Sequence, residues 1–584
     1  MSGLLDGSTT DGFFDEVVDH DGTIRTHYRA LIERLKGFTP AELERRERVR
    51  DALFRTAGIT FTVYGDDAGV ERTFPMDLLP RVILAQEWAQ VEAGVIQRVT
   101  ALNRFLGDLY TGEQAAVRDG VVPRWLVHTA AGYRREAFGI TMPHAARCLV
   151  SGVDLVRDED GRYVVLEDNL RNPSGISYVL ENRAAMTRVL PLAFAEQRVR
   201  PVDHYGPMLL RALQEVSPPS AGEHPTAVVL TPGVFNATYF EHVFLARQMG
   251  IEPVEGRDLV VEDHVVHMRT TQGLKRVDVI YRRIDDDFLD PVVVRPDSAL
   301  GVPGLLSAAR AGNVTIANAV GNGVADHTAV YAFVPDLMRF YLGEEPILLN
   351  VRTYLLWDDE QRAEVVDRLD ELVVKPVAES SGDGMRIGPH ASGAEIAAMA
   401  RQVRDDPRGF IAQEVVGLSR HPTLVGDHLG GRHVGLRPFA IAGETVEVVP
   451  GGLTRVAVRK GSLVVNSSQG GGSKDTWVLE EEPEVTPCSR GSRRTCSGPA
   501  ATPSGPRTPP AWWRSATTPS SSPPTARWRW RGSNSSRYCT CDRPTVPPSN
   551  RPRSRASWCS IPTTSGPSPP RLPGHVRTRG RSAS

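Results

Sequence analysis

Glu167, Asn169 and Arg171 occupy alternate positions in the run Glu167-Asp168-Asn169-Leu170-Arg171-Asn172-Pro173-Ser174-Gly175, and Asp154 precedes them. Arg147–Leu155 reads as a strand, Asp158–Gly161 as a turn and Tyr163–Glu167 as the returning strand. Such a hairpin brings Asp154 and Glu167 together on adjacent strands. The two-residue period of a strand then puts Glu167 and Asn169 on one face and Asp168 on the other. Two carboxylates and an amide oxygen are hard donors suited to Mg2+, which takes few protein ligands beside phosphate oxygens and water. Arg171 is placed to clamp a phosphate or a substrate carboxylate. Asp158, Glu159 and Asp160 read as solvated turn acids.

Three further constellations carry chemistry. Lys375 ends the apolar run Leu372-Val373-Val374 and is followed by Ser380-Ser381-Gly382-Asp383-Gly384. A lysine on an apolar wall reaches nucleotide phosphates, and a small, glycine-rich loop lets backbone N–H groups approach phosphate oxygens. The spacing is not that of a P-loop. Phe410–Val416 reads as a strand turning into a loop, where Gln413, Glu414 and Val416 can offer backbone groups to an adenine edge; a plain edge strand is the other reading. Arg437 and Arg455, at strand positions, suit charge developing on a transferring phosphoryl group. The run Asn466 to Asp475, with Lys474, adds a glycine-rich segment that is either a ligand loop or a flexible turn.

The elements that must position these groups follow from periodicity. Asp11–Ala57 reads as helical, with Thr39-Pro40 as a helix start. Ile59–Tyr64 alternates like a strand. Trp88, Val91, Val95, Val99, Leu102 and Leu106 have helical spacing over Trp88–Tyr110. Ser217–Pro225 reads as a linker. Ala227–Leu230, the helix Phe240–Met249, and the strands Glu252–Glu255 and Val277–Tyr281 alternate as in an open α/β unit. Val334–Leu342 reads as a helix. Glu371–Lys375, Gly409–Val416, His433–Ala442, Thr445–Val449 and Ser462–Val465 read as strands of a mostly antiparallel sheet.

Taken together, five strings carry a resemblance: ITFTVYGD at 59–66, VLEDNLRNPSG at 165–175, NAVGNGVAD at 318–326, VPGGLTRVA at 449–457 and VVNSSQGGGSKDTWV at 464–478. From about Asp15 to Leu479 the chain resembles the circularly permuted ATP-grasp family of type 2. The resemblance implies an α/β (α+β) fold, a permuted ATP-grasp domain with a preATP-grasp open α/β unit. It divides the chain into an N-terminal helical and β segment (1–80), a metal-binding part (81–216), the preATP-grasp-like unit (222–330) and a nucleotide-binding part (331–482). By this likeness Asp154, Glu167 and Asn169 bind Mg2+, Lys375 and residues 380–384 hold the phosphates of ATP, and Gln413 to Val416 hold adenine. The implied activity is an ATP-dependent carboxylate–amine ligase working through an acyl phosphate on small-molecule or peptide substrates. The alternative is a non-catalytic or degenerate ATP-binding module that partners an alpha-E-type helical protein. The chain departs from the family at His327 and Thr328, where Asp and Lys often follow NAVGNGVAD, and at Gly435, where Asp is common.

The last hundred residues read differently. From Val485 to Ser584 there are 17 Arg, no Lys and one acid, Asp542, although the whole chain has a net charge of −2. Three readings stand for 483–584: a basic nucleic-acid-binding tail, a metal site at Cys539 and Cys541, and a frameshift product. Read one base earlier, a permissive back-translation of Pro487–Trp513 and of Arg527–Arg543 gives helical spacing resembling the start of the alpha-E domain. The expectation is a frame slip between about Glu480 and Pro487 and a disordered tail, hence no nucleic-acid partner. Cys148 is the single cysteine outside this tail, no apolar run reaches the ~20 residues of a membrane span, and the acidic N-terminus lacks signal-peptide regions. These point to a cytoplasmic protein.

Overall fold

The expected hairpin lies toward one edge of the largest sheet. In the computed structural model, Val150–Arg157 and Tyr163–Asn169 pair antiparallel with Asp154 directly opposite Glu167. The structure describes residues 12–63, 70–234, 236–377, 384–425, 428–457, 461–462, 465 and 471–481. Expectations for Tyr64, Ser381, Gly382, Asn466 and the 483–584 tail lie outside the described residues.

The large sheet runs in the order Leu349–Asn350, Tyr163–Asn169, Val150–Arg157, His428–Arg437, Leu453–Val456, Gly472–Val478, Met76–Ile83. Three of its strands, Met76–Ile83, Val150–Arg157 and Gly472–Val478, are buried at every residue. The single strand expected over His433–Ala442 is two, His428–Arg437 and Phe439–Ala442, parted at Pro438, which has no N–H to give to a ladder. The helix Ala85–Thr111 buries Trp88, Val91, Val95 and Val99 in the same core as Val153, Leu155 and Val165 of the hairpin. Each such side chain contributes roughly 1.5–3 kcal/mol of burial.

The α/β unit is also present. Thr315–Ala317, Val279–Arg282, Ala227–Leu230 and Glu252–Val254 form a parallel sheet, with Tyr239–Met249 as the crossover helix between the last two. A small antiparallel meander, Leu259–Glu262, Val265–Thr270 and Gly273–Arg276, follows the crossover and was not expected.

The strands expected from Glu371 onward do not share one sheet. Leu372–Pro376 and Phe410–Glu414 belong to a separate antiparallel sheet ordered Thr353–Leu355, Phe410–Glu414, Leu372–Pro376, Arg386–Ile387. Helices Asp359–Asp367 and Gly393–Asp405 complete this small lobe. The first starts at Asp358, whose side chain accepts from Gln361 N–H; the second starts at a reciprocal Ser392–Glu395 cap. The lobe has its own core of Tyr354, Leu356, Leu372, Met399 and Val403. Ser462 and Val465 carry no strand, and 463–464 lie outside the described residues.

Near the N-terminus the expected helix is shorter. Helical backbone covers Thr26–Lys36 and Pro40–Ala57, the second closed by a Thr39–Glu42 capping box. Asp15 and Val18 form bridges to Arg420 and Ile24 instead. The buried Asp15 carboxylate accepts from Val17 and Val18 N–H, a local turn that competes with helix. No helix among the described residues is long and apolar enough to cross a membrane.

Candidate active site

A cleft with about 1500 Å³ of space not filled by protein atoms, part of it open to solvent, runs between the large sheet and the small lobe. The large sheet contributes Asp154, Glu167, Asn169 and Arg455; the lobe contributes Lys375, Gln413, Glu414 and Val416. The strand period thus brings the carboxylate pair, Asn169 and Lys375 to one cavity. Asn169 Nδ2 lies 3.4 Å from Glu167 Oε1. Asp168 points to the other face, as the alternation requires, and is gripped by Arg98.

Arg437 and Arg455 converge on Asp154. Arg437 makes a two-point contact with the Asp154 carboxylate, and Arg455 Nη1 stands 3.2 Å from Oδ2. Arg437 Nη2 is also 3.6 Å from Glu167 Oε1. Burial alone would raise the Asp154 carboxyl; the two guanidinium groups outweigh it and hold the group well below the usual carboxylate range. Glu167 goes the other way. Burial at the cleft base and the neighbouring Asp154 charge raise it, although 41 % of its side chain reaches the open cleft. Lys375 is half-buried, makes no ion pair within 4 Å among the described residues, and feels the Glu167 and Asp154 charges.

On the adenine side, Glu414 N–H is used by Arg352 O, while Val415 and Val416 lie beyond the strand end, their N–H groups without partners among the described residues. The Gln413 side chain donates to Thr353 Oγ1, and its Oε1 is buried without a partner. The Glu414 carboxylate is turned to Tyr354 and Arg368, so Glu414 offers backbone only. Gly384 has φ +74°, a conformation that suits glycine, at the end of the small-residue loop.

Two expected groups are placed elsewhere. Lys474 is fully buried on a central strand, its ammonium paired with Asp77 and donating to Leu79 and Pro422 carbonyls. It does not line the cleft, and its glycine-rich neighbourhood misled the reading. Arg171 is bound to Asp326, Nε to Oδ2 at 2.7 Å; Asp326 itself lines the cleft.

The 318–326 string proves to be a bracket. Asn318 Oδ1 accepts from Val150 N–H and its Nδ2 donates to the Val150 and Leu170 carbonyls. Asn322 Nδ2 donates to Arg147 O, and Asp326 Oδ1 accepts from Leu170 N–H. Gly323 packs directly on Gly132; a Cβ on Gly132 would come within 2.1 Å of the Gly323 carbonyl carbon. Glu241, paired with Arg283, receives the Gly175 and Ser177 N–H groups and so fixes the Pro-Ser-Gly turn. The sequence singled out the string, but not its partners Arg147, Val150 and Leu170, which lie 148 to 175 residues away.

No cluster of three or more His, Cys, Asp or Glu of metal-holding kind occurs among the described residues. The donor set nevertheless fits Mg2+, whose sites use one or two carboxylates and complete the shell with phosphate and water. Glu167 and Asn169 have oxygens to give, whereas both Asp154 oxygens already accept from arginine.

A carboxylate–amide pair facing a strand-end lysine across a two-sheet cleft, with an α/β unit beside it, defines a nucleotide-cleft protein of ATP-grasp type. Residues 80–457 match the circularly permuted ATP-grasp type 2 family, and the chain belongs to it. An uncharacterized protein of Synechocystis is 53 % identical over 469 residues, 80 % of this chain and 97 % of that one. An uncharacterized Mycobacterium leprae protein is 54 % identical over 80 % of this chain and 82 % of its own. A Frankia alni protein named "Putative glutamate--cysteine ligase 2-3" is 46 % identical over 80 % of this chain and 54 % of its own length.

Proposed function

We propose that the chain is an ATP- and Mg2+-dependent ligase that joins a carboxylate to an amine through an acyl phosphate. The observation that carries the reading is the cleft itself, lined on one side by Asp154, Glu167 and Asn169 and on the other by Lys375 and the Gln413–Val416 segment. The Frankia relative's printed name adds support for an amino acid or peptide as substrate.

In this reading Val415 and Val416 present backbone N–H to the adenine edge, and Lys375 with the 380–384 loop holds the phosphates. Glu167 and Asn169, with Asp154 beside them, hold Mg2+, which offsets phosphate charge when bound. The substrate carboxylate oxygen forms a bond to the γ-phosphorus as the bond to the β-phosphate oxygen breaks and ADP leaves. Arg437 and Arg455, held by Asp154, stabilise the equatorial oxygens. The amine nitrogen then attacks the acyl carbon, inorganic phosphate leaves with the C–O electron pair, and the amine proton passes to solvent.

Calorimetric titration of the full chain with ATP, with and without Mg2+, tests the reading, together with phosphate release on adding amino acids in pairs. The expected result is Mg2+-dependent binding that Glu167→Ala and Lys375→Ala each weaken at least tenfold. A folded wild-type chain that binds no ATP sinks the reading. Binding without phosphate release from any pair favours the non-catalytic module.

A further inference from the structure

Arg98 is a buried guanidinium that does not itself line the cleft, yet it meets two segments that do, at Asp168 and Tyr331, and a third, at Asn350, that leads into the lobe. It lies on the helix Ala85–Thr111 with no exposed side-chain surface. Its Nε and Nη2 donate to Asp168 Oδ1 and Oδ2, both at 2.7 Å. Asp168 is the residue between Glu167 and Asn169, on the opposite face of the same strand. Fixing Asp168 by two parallel contacts fixes the rotation of that strand, and so the direction in which its neighbours project.

The third contact reaches the lobe. Arg98 Nη1 donates to Asn350 Oδ1 at 2.7 Å. Asn350 pairs with Val165 as the last residue of the large sheet before the chain enters the lobe at Thr353. Asn350 Nδ2 in turn donates to Tyr331 O at 2.8 Å. The Tyr331 ring lies 5.4 Å from the Arg98 guanidinium, and its hydroxyl donates to Val165 O while accepting from Val351 N–H. Tyr331 also lines the cleft.

We propose that Arg98 is a positioning residue that sets the metal-holding edge, Glu167 and Asn169, against the lobe that carries Lys375. A lysine in its place keeps the charge on Asp168 but has one nitrogen, which cannot also hold Asn350 in a planar fork. This inference rests on the ligase reading, because it assigns the function of the fork to the registration of Mg2+ against nucleotide.

The test is calorimetry of ATP binding to the full chain across a Mg2+ titration, for wild type, Arg98→Lys and Asn350→Ala. Asn350→Ala cuts the link to the lobe while leaving the Arg98–Asp168 pair in place, so it serves if Arg98→Lys does not fold. The expected result is Mg2+-free ATP affinity within about twofold of wild type and a half-saturating Mg2+ concentration raised about tenfold, in either folded variant. Equal losses with and without Mg2+ indicate a merely structural role and overturn the inference, as does an unshifted Mg2+ dependence. Wild type that binds no ATP overturns the ligase reading and this inference together; binding by wild type with unshifted variants overturns the inference alone.

Discussion

Arg437 and Asp154 sit on neighbouring antiparallel strands and meet through two parallel contacts, the outer one, Nη2 to Oδ2, at 2.6 Å. Both side chains are nearly buried, with 7 % and 11 % of their surfaces exposed. Removing one partner leaves the other charge largely desolvated and short of its counter-charge. Asp154→Ala is expected to destabilise the fold by about 3–5 kcal/mol, and Asp154→Leu with Arg437→Met to cost less than the single change. Urea denaturation of the three chains measures this; additive losses contradict the pairing.

Thr328 lines the cleft. A second ammonium there would meet the phosphates beside Lys375. Thr328→Lys is expected to tighten Mg·ATP binding about tenfold, roughly 1.4 kcal/mol, read by calorimetry. An unchanged or weaker affinity would show that the position does not face the nucleotide.

Gly132 and Gly323 touch backbone to backbone, and a Cβ on Gly132 meets three Gly323 atoms within 2.5 Å. Backbone cannot swing away as a side chain can. Gly132→Ala is expected to cost at least about 1–3 kcal/mol and to weaken ATP binding through the displaced 321–326 segment, which holds Leu170 and Arg171. Thermal unfolding and calorimetry on the same variant separate the two effects.

His242 is buried between two hydroxyls, with Nδ1 at 2.8 Å from Thr231 Oγ1 and Nε2 at 3.2 Å from Thr238 Oγ1. Burial, with the nearby Arg283 charge, pushes its pKa down to about 2. Below about pH 6.5 the unfolded imidazole takes a proton that the folded one refuses, so this contribution to stability is lost as pH falls. Denaturant midpoints between pH 7.5 and 5 are expected to fall less steeply for His242→Asn than for wild type. The difference in slope approaches about 1.4 kcal/mol per pH unit only below pH ~6.5, where the unfolded imidazole is mostly protonated; equal slopes there would place a charged imidazole in the folded state.

The carboxylate edge was legible because one short-range rule, strand alternation, decides it. Glu167, Asp168 and Asn169 all border the cleft, but the Asp168 carboxylate is turned to the other face and held there by Arg98. Lys375 was legible for a similar reason, as the charged end of an apolar strand. Lys474 was not, because glycines beside a lysine look alike whether the strand that follows is exposed or sealed between Met76–Ile83 and Leu453–Val456. Arg98, Asn318 and Asp326 were missed or left without a role for another reason. Their partners are distant in sequence, and no periodicity announces a side chain that will be buried polar.

Arg352 O accepts from Glu414 N–H at 3.1 Å, so the chain leaves for the small lobe and returns from it through hydrogen-bonded neighbours. The entropic cost of closing such an excursion grows only slowly with the length between its ends. The roughly sixty residues between these points behave as a cassette. They are expected to be replaceable by a short linker without cutting a strand of the large sheet, and interchangeable between relatives as one exon-like unit. In evolutionary terms, the lobe can drift as one piece, save at Ile411, Leu355, Trp357 and Val377, which also pack on the neighbouring core.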